Sequence, residues 1–125
     1  MRKKSEYKIS SSVKDGILEI VLTGKLITSA VEELQIKIAD IVIERGINNL
    51  LVDARAMGGP RIGTIETYTT VRRPPPSIPR VTVAVVDRQE NAKQGAFLET
   101  TALNAGHVLK FFTDIDAARA WLKSK

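Results

Sequence analysis

Val108-Leu109-Lys110-Phe111-Phe112-Thr113-Asp114-Ile115-Asp116-Ala117-Ala118-Arg119-Ala120-Trp121-Leu122 is the stretch that decides the fold class. An apolar run rich in aromatics gives way to a helix-start signal and then to an amphipathic pattern. Thr113 is placed to cap the helix, with Asp116 three residues on as a carboxylate variant of the capping box. Ile115, Ala118 and Leu122 fall on one helical face with Trp121 beside them. A strand feeding a helix with one apolar face is a unit of an α/β domain.

Upstream, strands and helices alternate. Glu6–Val13 and Ile17–Thr23 read as strands joined at Asp15-Gly16, a hairpin signal because Gly tolerates the positive φ of a tight turn. Ser29 and Glu32 form a capping box, and Val31, Leu34, Ile38, Ile41 and Val42 make a helical stripe that Gly46 ends. Leu50-Leu51-Val52-Asp53 is a nearly continuous apolar strand of the kind buried on both faces. Residues 54–63 read as a loop and Thr64 to Val71 as a short helix, which Pro74-Pro75-Pro76 cannot continue. Val81 to Val86 is the next buried strand, Glu90 to Ala105 a helix interrupted by Gly95, and His107–Phe112 the last strand. The order ββαβαβαβα predicts a single-domain α/β fold: a mixed five-stranded sheet, opened by a hairpin, with four helices. With no repeat and no dividing linker, residues 1–125 read as one domain, 1–5 and 123–125 being frayed basic ends.

A chain of 125 residues, 43% hydrophobic and 26% charged, is of ordinary globular composition. It has no cysteine, which excludes disulfides, thiolate nucleophiles and Cys-ligated metals. No apolar segment follows Met1-Arg2-Lys3-Lys4 as a signal peptide requires, and no run reaches the length of a membrane span. A cytoplasmic address is the expectation. The net charge of +5 sits at the ends: residues 1–8 sum to +3, Lys123 and Lys125 add +2, and the body is neutral. A duplex-binding face needs clustered cations, so no nucleic-acid partner is expected.

The pattern Phe112-x-Asp114-x-x-x-Ala118-x-x-Trp121-Leu122 resembles the close of STAS-like domains related to bacterial anti-sigma-factor antagonists. Thr23-Gly24-Lys25-Leu26 sits where such domains carry Gly-x-Leu after the second strand. Leu51-Val52-Asp53 is similar to their next strand, which closes on Asp. The resemblance implies a non-enzymatic regulatory module that works by protein–protein contact, with an anti-sigma factor or switch-kinase-like partner and no cofactor. One motif departs. Phosphorylated antagonists carry Asp-Ser-Ser-Gly at the next helix start, with Ser as phosphoacceptor, whereas Met57–Glu66 here contains no serine. Thr64 is the nearest hydroxyl and the only candidate phosphoacceptor; its ordinary role is a helix N-cap. A branch without that motif is similar in fold to lipid-transfer domains. It implies the alternative, a small-molecule or lipid-binding module with an apolar crevice beside the 64–73 helix.

The binding surface expected on either reading comprises Asp53, Arg55, Gly58, Gly59, Arg61, Thr64, Tyr68, Arg72 and Arg73. Gly58 and Gly63 have the glycine spacing of a phosphate loop, but the Lys that such a loop needs is replaced by Thr64. A helix N-terminus beside Arg61 could still hold an anion. Asp53 and Asp87 end two buried strands, where open α/β sheets place sites, though hydrogen bonding to loop amides is the commoner role. His107 is the only histidine, and no carboxylate cluster with metal-ligand spacing accompanies it.

Overall fold

The computed structural model describes residues 7–25, 31–58, 81–93, 96, 99 and 108–125. The side chains of Val31, Glu32 and Gln35 are outside that description. Five strands form one sheet: β1 Lys8–Lys14, β2 Ile17–Gly24, β3 Asn49–Met57, β4 Thr82–Val86 and β5 Val108–Phe112. Their order across the sheet is the order of the chain. β1 runs antiparallel to β2, and every later neighbour pairs in parallel.

The hairpin forms where Asp15-Gly16 allows it. Both residues have positive φ, 55° and 77°, the combination a two-residue type I′ turn requires. Helix α1, Val31–Arg45, follows β2 and ends at Gly46, whose φ is 67° and whose N–H donates to the Val42 carbonyl at 2.9 Å. Helix α2, Ile115–Lys123, follows β5.

The period-two alternation of the strands divides the core between the two faces. Leu18, Ile20 and Leu22 of β2, Leu50 and Val52 of β3 and Val83 of β4 pack with Leu34 and Val42 of α1. Ile38 and Ile41 lie against that cluster, as the helical stripe requires. Ile17, Leu51, Ala84 and Val86 face the other way, onto Ala118 and Leu122 of α2. Leu50-Leu51-Val52 is thus buried on both sides, which is why it carries no polar alternation.

Three expectations are corrected. Two α-helices stand among the described residues where four were expected. The 64–71 segment lies outside those residues, and at Glu90 the chain makes a 3₁₀ turn, Gln89–Asn91, before helical residues 92, 93, 96 and 99. The cap of α2 is Asp114, not Thr113: its carboxylate accepts the Asp116 N–H at 3.2 Å, and an aspartate does this as well as any residue. Finally, β3 does not end at Asp53. Val21 pairs with Asp53 but Thr23 with Ala56, so β3 gains one residue in a bulge. The bulge flips the side-chain parity and returns Met57 to the α1-side core, which carries the strand four residues into the expected loop.

Candidate functional site

The parallel strands all end at one edge of the sheet, and the described part of the expected binding surface lies there. Asp53 is the last paired residue before the bulge of β3, and Arg55 lies within the bulge. Asp53 Oδ1 accepts from the Arg55 backbone N–H at 3.1 Å and from Nε at 2.9 Å, and Oδ2 accepts from Nη2 at 2.9 Å. A guanidinium fork meeting a carboxylate in this way is strong and directional. It holds the Asp53 carboxyl below the usual carboxylate range, against the opposing effect of partial burial, and raises Arg55 in turn.

Gly58 closes the strand end. Its N–H donates to the Gly24 carbonyl at 2.7 Å, which keeps β2 and β3 together past the last ladder pair. On β4's side, buried Asp87 accepts the Arg88 N–H at 2.8 Å, the loop-amide role that strand-end aspartates commonly take. Arg88 Nη2 donates to the Met57 carbonyl at 3.4 Å and pairs with Glu90 at 3.4 Å, so it ties the ends of β3 and β4.

A second ion pair lies on the α2 side of the sheet. Glu19, only 9% exposed, accepts from Arg119 Nε at 2.8 Å and Nη2 at 3.0 Å. Arg119 also reaches Asp116 at 3.6 Å, and its charge acts on Asp53. The resulting face carries both signs: Arg55 paired with Asp53, and Arg119 paired with Glu19 and Asp116. Such a surface suits recognition of a polar, charged partner. Asp53 is kept ionised by Arg55 and so is poorly suited to act as a general acid near neutral pH.

Of the expected surface, Asp53, Arg55 and Gly58 are brought together at one strand end. Gly59, Arg61, Thr64, Tyr68, Arg72 and Arg73 lie outside the described residues, as does His107. Glu19 and Arg119 were not anticipated. The signal for Glu19 is a lone carboxylate inside the apolar run Ile17–Leu22, but its partner is 100 residues away in sequence.

No family model matches the chain, and no curated protein matches it in sequence. Solved structures do match. An anti-sigma factor antagonist from Mycobacterium paratuberculosis superposes with a TM-score of 0.60 at 16% identity, covering 94% of each chain. An uncharacterized protein of the DUF3478 family from Shewanella loihica, with a SpoIIAA-like fold, gives 0.58 at 16% identity over 98% of each chain. At that identity the likeness is one of fold. A hairpin-led mixed sheet, a third strand that bulges past Asp53 and a capped terminal helix give this chain the SpoIIAA-like fold expected of a STAS-like domain.

Proposed function

We propose that the chain is a non-enzymatic regulatory module that acts by protein–protein contact, in the manner of anti-sigma factor antagonists. The observation that carries this reading is the near full-length superposition on an anti-sigma factor antagonist. The charged strand edge supports it, because the Asp53 and Asp87 carboxylates are engaged in hydrogen bonds rather than poised for proton transfer. The proposed contact surface starts at Asp53, Arg55 and Gly58 and continues in sequence through Gly59, Arg61, Thr64, Tyr68, Arg72 and Arg73.

Calorimetric titration of the purified chain with anti-sigma factors from its native host tests the reading. The expected result is a one-to-one complex that Arg55→Ala and Arg61→Ala each weaken about tenfold, the loss of one charge-assisted pair. Intact-mass measurement of protein from the host then asks whether Thr64 carries a phosphate. No binding to any host anti-sigma factor, with a stoichiometric apolar molecule recovered by organic extraction, would replace this reading with the ligand-binding alternative.

A further inference from the structure

The two edges of the sheet are treated differently. At the β5 edge the outward backbone N–H of Phe111 is capped, donating to Glu99 Oε2 at 2.7 Å. The β1 edge is bare among the described residues. The type I′ turn makes Lys14 and Ile17 the first hydrogen-bonded pair, so Ser12, Ser10 and Lys8 bond inward to β2. The N–H and C=O groups of Ile9, Ser11 and Val13 therefore point away from the sheet. Unpaired backbone of this kind is a template for another strand.

The side chains state what kind of strand fits. β1 is unbroken by bulge or proline, carries no acidic residue, and has small serines at its centre. Ile9, Ser11 and Val13 lie on the α1 side, opposite Leu22, Ile20 and Leu18, and Val13 is 43% exposed. Lys8 and Lys14 project from the other face at the two ends, roughly 20 Å apart at strand rise. A second copy docked antiparallel about Ser11 would set Lys8 against the partner's Lys14 at closely spaced, non-hydrogen-bonded positions. Like charges so placed destabilise the pair. Carboxylates there would be attracted.

We propose that the outer edge of β1 receives an extended acidic segment of a partner protein as a sixth strand, with carboxylates opposite Lys8 and Lys14 and apolar side chains opposite Ile9, Ser11 and Val13. Backbone hydrogen bonds supply affinity and the alternate side chains specificity. The proposal deepens the protein-contact reading and rests on it only in taking a protein segment as the occupant.

The probe is a synthetic heptapeptide with glutamate at both ends, valine at the second, fourth and sixth positions and threonine between. Titrated into the isotope-labelled full chain, it should shift the amides of Ile9, Ser11 and Val13 and slow their exchange. A lysine-ended version should bind about tenfold more weakly, and the double variant Lys8→Glu with Lys14→Glu should reverse that preference. Ser11→Pro removes one outward N–H without touching the ladder to β2, and should weaken the glutamate peptide about tenfold. Unmoved amides at millimolar peptide, or equal binding of both peptides, would sink the proposal. So would a dimer in sedimentation, with these amides already protected, since a second copy would then hold the edge. A chain that binds the peptide but no anti-sigma factor overturns the earlier reading alone, and the converse result overturns this one alone.

Discussion

Glu19 sits inside an apolar strand with both carboxylate oxygens bound to Arg119, whose own side chain is 31% exposed. Removing the arginine strands a largely buried charge, which is worse than losing the pair. Arg119→Met should cost about 2–3 kcal/mol in urea unfolding, at the low end because water reaches the guanidinium. Adding Glu19→Gln should recover part of that loss, and a strictly additive double variant would show the two side chains to be uncoupled. Asp53 makes a different prediction. Its carboxyl is depressed chiefly by the hydrogen bonds from Arg55, so it binds its proton less readily folded than unfolded. The stability it contributes is full above the ordinary aspartate value of 3.8 and is lost as pH falls through the lower folded value. Arg55→Ala should flatten the fall in stability below about pH 4, measured by urea midpoints from pH 5 to 2. An unchanged acid limb would remove the ion pair from the account.

At the scale of elements, α2 shows what a pattern reveals and what it leaves open. The apolar face of Ile115, Ala118 and Leu122 is legible because 3.6-residue periodicity follows from backbone geometry alone, and it packs as read. The sequence pattern places the cap one position too early, because Thr113 and Asp114 are both competent caps and only the extended backbone at Asp114 decides between them. A tryptophan on an apolar helix face is expected to bury with it. Trp121 lies instead at the margin of the cluster, its ring 5.6 Å from that of Phe112 with Lys125 Nζ 4.9 Å from its centroid. Leu122 has no exposed surface. Leu122→Ala should therefore cost about 3 kcal/mol and Trp121→Ala about 1–2 kcal/mol, the reverse of the order side-chain size suggests. Equal or inverted shifts in the denaturation midpoint would place Trp121 back in the core. The bulge in β3 had no sequence signal, since neither Ala54 nor Arg55 is a residue that demands one; the pairing to Thr23 and Gly24 imposes it.

Across the whole molecule, what could be read was what depends on neighbours in sequence: the hairpin, the alternation of strands with helices, the parallel pairing. The in-order sheet and the Glu19–Arg119 contact depend on which strand lies beside which, and no local pattern encodes that. The observed order carries its own prediction for how the sheet opens. β3 has a paired strand on each side, and Leu51 and its β4 neighbour Ala84 have no exposed surface, while Leu50 is 3% exposed on the opposite face. β1 has one neighbour, and five of its seven residues are exposed to water. Amides of Leu50, Leu51, Val52 and Val83 to Val85 should then exchange only by global unfolding, whereas those of β1 exchange by local fraying. Within β1 the rates should alternate. Ser10 and Ser12, bonded to β2, should be slower than Ile9, Ser11 and Val13, which face outward. Hydrogen exchange followed by NMR under native conditions measures both effects. Uniform protection along β1, at the level of β3, would mean that something other than solvent covers that edge in the free chain.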